Sequence, residues 1–185
     1  MSVEKHLTTA KTLALEASQI ILKLRSEKIE QHRKKDHSLV TQADLAADRI
    51  IREGLSKAFP EHAILTEENG LSGREGSDWC WLIDPLDGTK AYAKGIAGFS
   101  VMIGLLKKGE PYLGVVVDPL KGLVYEAVRG QGAFLSPSPG LRPPSPARGE
   151  GIQLRVSTRN DFSQMPLVVS TGFPKEKLSS LREWV

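Results

Sequence analysis

Cys80 is the only cysteine in the chain, which excludes an internal disulfide and any Cys-x-x-Cys metal or redox motif. A reducing, cytoplasmic setting fits that count. Aromatic residues make up 6% of the 185, and none stands beside the basic residues Lys34, Lys35 and Arg148 to offer the stacking platform used for single-stranded nucleic acid. Neither sign of charge dominates: Lys and Arg outnumber Asp and Glu by 25 to 22, a net +3, too small to signal a polyanionic partner. Long apolar runs are missing as well. Stretches such as Leu113 to Val117 fall far below the roughly 20 residues that span a bilayer. The opening residues lack the basic start, apolar run and small-residue cleavage site of a secretory signal. The expectation is a soluble protein with no transmembrane segment and no nucleic acid polymer as partner.

What is present is a folded-domain composition, 40% hydrophobic, enough for one sizeable core. Val3, Leu7, Ala10, Ala14, Ala17, Ile21 and Leu24 recur at spacings of three and four, which predicts a helix from about Ser2 to Arg25 with one buried stripe. Residues 31–38 break that pattern with a basic, polar run read as a solvated loop. A second helix begins at Thr41, whose hydroxyl can cap it with Asp44 three residues on, and Ala47, Ile50, Ile51 and Leu55 supply its buried face. Ala63 to Thr66 and Trp79 to Ile83 read as strands, each running into acids: Glu67-Glu68 after the first, Asp84-Pro85 after the second. From Phe99 to Phe134 the turns at Lys108-Gly109-Glu110-Pro111 and Asp118-Pro119 punctuate an antiparallel meander. Helices on a largely antiparallel sheet make an α+β, layered domain.

Between Ser136 and Gly151 the sequence turns to Pro, Ser, Gly and Arg, a composition that forbids a strand ladder and suits an exposed spacer. The expected organisation is therefore a domain over 1–135, an insertion over 136–151, and the start of a further α/β region over 152–185. In that last part Leu154-Arg155-Val156 and Leu167-Val168-Val169-Ser170 have strand character.

The sharpest chemical feature is Asp84-Pro85-Leu86-Asp87-Gly88-Thr89. Two carboxylates three residues apart on a tight turn can converge on one point, and hard divalent cations prefer oxygen ligands of this kind, the Leu86 carbonyl included. Gly88 lets the backbone approach a ligand, and amides opening a helix suit a phosphate. Each piece also has an ordinary reading: Asp-Pro and Asp-Gly are common turn dipeptides, Glu-Glu in a turn is commonly surface charge, and Asp44 can be merely the acid of a capping box.

Val40-Thr41-Gln42-Ala43-Asp44, the Glu67-Glu68 pair and Trp81-Leu82-Ile83-Asp84-Pro85-Leu86-Asp87-Gly88-Thr89-Lys90 together, in this order and spacing, resemble the inositol monophosphatase superfamily. The resemblance starts in the first helix, continues through Gly132-Ala133-Phe134-Leu135, and resumes at Val156-Ser157. It implies a layered sandwich of the sugar-phosphatase type and magnesium as cofactor. It implies that Glu67, Asp84 and the Leu86 carbonyl bind one Mg2+ and that Asp84 and Asp87 bind a second. Thr89, hydrogen-bonded to Asp44, would orient the attacking water, with Glu67 counted among the catalytic groups, while Asp87 and the amides of Gly88 and Thr89 would hold the phosphate. Within the superfamily, Leu86, Lys90 and Lys34-Lys35-Asp36-His37-Ser38 look more like bisphosphate nucleotidases, so the first expectation is hydrolysis of the 3′-phosphate of adenosine 3′,5′-bisphosphate to AMP. Thr171-Gly172-Phe173-Pro174 looks instead like inositol monophosphatases, the alternative.

The departures from the family pattern carry expectations too. Leu39 stands where the family commonly has proline. Relatives continue with a further α/β region bearing a W-D-x-x-A-G type motif whose Asp completes the second metal site. Nothing up to Val185 supplies it, so an inactive metal- and phosphate-binding fragment with an incomplete second half is a third expectation. The small phosphorylated substrate is the expected partner, with homodimerisation of an intact relative left open.

Overall fold

A computed structural model describes residues 2–26, 31–33, 39–138 and 151–155. The chain groups into two compact units, Met1–Leu154 and Arg155–Val185, and the account below concerns the first.

Helix α1 runs Val3–Arg25, capped by the Ser2 side chain, which accepts from the Lys5 amide and so satisfies one of the donors a helix start leaves open. The predicted stripe is rotated slightly: Ala10, Ala14, Ala17 and Ile21 are buried as expected, joined by Leu13, His6 and Ser18. The Ser18 hydroxyl is tolerated inside because it donates back to the Ala14 carbonyl at 2.7 Å. Residues expected to form a solvated loop instead contribute a short hairpin, β1 Gln31–Arg33 antiparallel to β2 Leu39–Thr41. A basic run gives no hydrophobic alternation from which such a pairing could be read.

Helix α2 is Gln42–Ala58, opened by the capping box between Thr41 and Asp44. It crosses α1 closely enough that a Cβ on Gly54 would lie 2.3 Å from Leu13 Cδ2. That contact accounts for a glycine inside a helix, where it costs about 1 kcal/mol relative to alanine.

The strands that follow are β3 Ala63–Thr66, β4 Gly70–Gly73, β5 Trp79–Asp87, β6 Ser100–Lys107, β7 Glu110–Asp118, β8 Leu123–Val128, β9 Gly132–Pro137 and β10 Ile152–Leu154, with the short helix α3 Thr89–Ala93 after β5. They form one sheet in the order β10-β9-β8-β7-β6-β5-β3-β4. Every pairing is antiparallel except β3 with β5. The expected α+β architecture is the one observed, and α1 and α2 pack against β3, β5, β6 and β7. Trp81, Ile64, Ile103, Leu105, Val115, Val117 and Val124 are buried with Phe59, Ile51 and Leu55 from the helical layer. Fully burying side chains of this size contributes about 1.5–3 kcal/mol each. Alternate residues Leu65, Leu82 and Met102 are exposed, because successive side chains of a strand point to opposite faces.

Strand β9 continues to Pro137 and pairs Ser136 with Val124 and Pro137 with Leu123, two residues into the stretch expected to loop out. Pairing with β10 stops at Leu135 opposite Ile152, so on that side Pro137 interrupts no ladder, the position in which a sheet accepts proline. The remaining prolines of the expected insertion, the segment around Leu167–Ser170, the Thr171-Gly172-Phe173-Pro174 run and Lys34–Ser38 lie outside the described residues. Among the described residues no helix is long and apolar enough to cross a membrane.

Candidate functional site

The parallel pairing of β3 and β5 sets Thr66 beside Ile83. The Glu67 amide then donates to the Ile83 carbonyl at 3.2 Å. Glu67, the first residue past β3, is therefore brought beside the Asp84 position of β5, toward the C-terminal end of the parallel pair.

Strand β5 does not end at Asp84. Its register with β6 shifts between Asp84, opposite Met102, and Asp87, opposite Ser100, so three steps on one strand face two on the other. This bulge absorbs Pro85, which has no N–H to donate, and re-aims the chain. Beyond it Gly88 sits in the left-handed region at φ 83° and caps α3. A Cβ there would lie 2.3 Å from the Gly98 carbonyl oxygen, so only glycine lets the turn close against the 98–99 backbone.

Asp44, buried at 2% exposure, unites both of its sequence readings by dividing its two oxygens. Oδ2 accepts from the Thr41 amide at 2.8 Å and from the Thr41 hydroxyl, completing the helix cap. Oδ1 accepts from the Thr89 hydroxyl at 3.1 Å. Thr89 Oγ1 also lies 3.0 Å from the Leu86 carbonyl, and a hydroxyl has one proton to share between them. A cation on that carbonyl would leave the Thr89 proton to Asp44 alone.

Burial and like charge act together on Asp84. Desolvation first, then the charges of Glu67 and Asp87 and a smaller contribution from Asp44, push its carboxyl up to about 6, against the Leu86 amide, which pulls the other way and donates to Asp84 Oδ1 at 3.2 Å. Burial likewise raises Asp44, opposed by its bonds from Thr41 and Thr89. Asp87 accepts from the Ser100 hydroxyl at 3.5 Å. An open groove of about 540 Å³ reaches Glu67 and Asp84 between Leu65, Leu82, Met102 and Gly104. A larger hollow of about 690 Å³, near Pro111, Gly114 and Ala127, touches none of the predicted site residues.

Among the described residues no three carboxylate, imidazole or thiol side chains already stand close enough to cage a metal ion. The donor set nonetheless fits magnesium in kind. Mg2+ takes oxygen ligands, keeps several waters and needs only one or two carboxylates, and a divalent cation would offset both the lost hydration of Asp84 and the like charge of Glu67 and Asp87 near it.

Three polar residues near these acids were not singled out in the sequence. Asp48 and Asn69 bond one another at 2.5 Å, and Tyr92 donates its hydroxyl to the Ile21 carbonyl at 3.0 Å, tying α3 to α1. A carboxylate one helical turn after Asp44 was the available signal for the first.

A family model for the inositol monophosphatase family matches residues 2–179. With helices on a mostly antiparallel sheet and acids at the end of the parallel β3–β5 pair, the fold and the match agree: the chain belongs to the inositol monophosphatase family. Members of that family are phosphatases and generally depend on magnesium. The chain is 38% identical over 141 residues to Nus factor SuhB of Pasteurella multocida, covering 76% of this chain and 47% of that protein. It is 37% identical over 139 residues to a fructose-1,6-bisphosphatase/inositol-1-monophosphatase of Aquifex aeolicus, covering 73% and 52%. The crystal structure of the extragenic suppressor protein suhB from Bartonella henselae matches with a TM-score of 0.70 and 30% identity, over 82% of this chain and 54% of that one. The chain thus spans about half the length of the relatives it matches.

Proposed function

We propose that this chain carries the metal-binding part of a magnesium-dependent phosphomonoesterase acting on an inositol or sugar phosphate. The observation that carries the reading is that Asp84, near the end of the parallel strand pair, feels the charges of Glu67 and Asp87, with the Asp44–Thr89 hydrogen bond just beyond in the chain. Glu67, Asp84 and the Leu86 carbonyl would hold one magnesium, and Asp84 with Asp87 would contribute to a second. Bound there, the metal would supply a water of lowered pKa and charge stabilisation for phosphoryl oxygens. The protein's own part is positional. Asp44 fixes the Thr89 hydroxyl, which orients the attacking water, and Gly88 admits the phosphate to the backbone amides at positions 88 and 89.

The substrate is read here as an inositol or sugar phosphate rather than a nucleotide bisphosphate. What supports this over the first expectation is the Aquifex relative, whose name specifies fructose 1,6-bisphosphate and inositol 1-phosphate chemistry. The residues that suggested the nucleotide branch are two positions of one motif, Leu86 and Lys90, and a run, Lys34–Ser38, outside the described residues.

Phosphate release from inositol 1-phosphate and from adenosine 3′,5′-bisphosphate, with magnesium, tests the proposal. Release favouring the inositol ester and lost in Asp87→Asn is the expected result. Preference for the bisphosphate would restore the nucleotidase reading, and magnesium binding without turnover would favour the metal- and phosphate-binding fragment.

A further inference from the structure

We infer that Asp48 is a positioning residue of the acid site: through Asn69 it fixes the turn that carries Glu67, as Asp44 fixes Thr89, so that one face of α2 spaces both loops. This rests on the metal reading above. Asp48 is 1% exposed, on a helix face where an apolar side chain would pack at lower cost, since a buried carboxylate must recover its lost hydration through hydrogen bonds. Its Oδ2 accepts from Asn69 Nδ2 at 2.5 Å and from Arg52 Nε at 3.4 Å, while Oδ1 is buried with no hydrogen-bond partner among the described residues.

The bond to Asn69 acts on a short piece of backbone restrained elsewhere. The Asn69 amide donates to Thr66 Oγ1 at 2.9 Å, closing the turn locally, and the Glu67 amide is held by the Ile83 carbonyl. The turn is thereby anchored to β5 at its beginning and to α2 at its end. Asp44 and Asp48 lie four residues apart, on the same face of a 3.6-residue helix. Their two bonds run to two segments, the turn after β3 that bears Glu67 and the start of α3 at Thr89, two residues past Asp87. The helix between them thereby bears on the separation of the acids that the two segments carry. Groups that orient ligands in this way are worth roughly 10–100-fold in metal affinity at established sites.

The plainer alternative is that Asp48 only tacks the β3–β4 hairpin to the domain. That role would lower thermal stability on removal and leave magnesium affinity of the folded protein alone. The discriminating set is Asp48→Ala, Asn69→Ala, their double variant and Asp48→Asn, which keeps an acceptor for Asn69. Amide hydrogen exchange at residues 67–70 and magnesium titration calorimetry are read well below each variant's unfolding temperature. Both alanine variants should speed exchange in the turn and weaken magnesium binding roughly tenfold. The double variant should be no worse than either, because one bond is removed once, and Asp48→Asn should stay within about twofold of the original. Unchanged turn exchange, unchanged affinity in folded Asp48→Ala, or Asp48→Asn as damaging as Asp48→Ala would each overturn the inference. Should the unsubstituted chain bind no magnesium, the metal reading fails on its own, and the exchange arm alone decides whether Asp48 holds the turn.

Discussion

The two ends of β5 bury titratable groups by opposite means. At its start, Trp79 and Trp81 pack with Phe59, His6 and His62, whose rings stack with centroids 4.8 to 5.5 Å apart across His6–Phe59, His6–His62 and His62–Trp79. Here the Trp81 indole N–H donates to His62 Nδ1 at 3.1 Å, and His6 Nδ1 lies 3.0 Å from the Ser2 carbonyl. The Trp81 bond selects the neutral, Nε2-protonated tautomer of His62, whereas the Ser2 carbonyl asks only that Nδ1 of His6 carry a proton. At its finish, Asp84 is half-buried among charges of its own sign. At the start of the strand aromatic rings enclose imidazoles that burial keeps from charging, whereas at its finish a carboxylate meets convergent charge of its own sign, the arrangement that a bound cation would relieve.

That contrast can be broken first at the histidine end, where the largest effect is expected. Burial holds His62 down at about 4, helped by the charge of His6. The folded state therefore refuses a proton that the unfolded chain accepts near 6.5, and stability must fall as pH drops through the window from about 6.5 to 4, levelling below it. The loss attributable to this group is roughly 3 kcal/mol. Urea unfolding across that range, compared with His62→Gln, should show a shallower decline in the variant. An identical decline would mean that His62 is not kept neutral.

Gly88→Ala should come next, at roughly 2 kcal/mol, because alanine must enter a left-handed conformation and meet the Gly98 carbonyl. Its loss should appear at the acid end as weakened magnesium binding beyond the effect on the melting temperature. Smaller still, and opposite in sign, is Asp84→Asn. Without divalent cations it should raise stability by about 1 kcal/mol, since it removes a charge that its surroundings resist. A destabilised variant under those conditions would place Asp84 among ordinary structural hydrogen-bonding groups.

How legible these two ends were in the sequence follows from their chemistry. At the acid end Asp84 and Asp87 stood out as two carboxylates on one tight turn after a strand, but each acid also had an ordinary structural reading, and Glu67 and Thr89 entered the candidate site only through the family resemblance. The Asp44–Thr89 bond spans 45 positions and came only with the family resemblance. The histidine end was not readable. His6 stands one place from the predicted stripe, and neither hydropathy nor spacing says that an imidazole will be buried against a ring. Asp48 was overlooked for the same reason, an acid on the buried face of a helix whose partner is distant in sequence. Strand limits beyond Pro85 were missed because proline ordinarily ends a strand, and here a bulge accommodates it.

The central claim is that the finish of β5 is a magnesium site organised by Asp84. Titration calorimetry with Mg2+ on the unsubstituted chain, Asp84→Asn and Glu68→Gln tests it directly. Binding that disappears in Asp84→Asn and survives in Glu68→Gln is the predicted result, since Asp84 would contact both metal positions and Glu68 neither. No binding to the unsubstituted chain, or equal losses in the two variants, would contradict it.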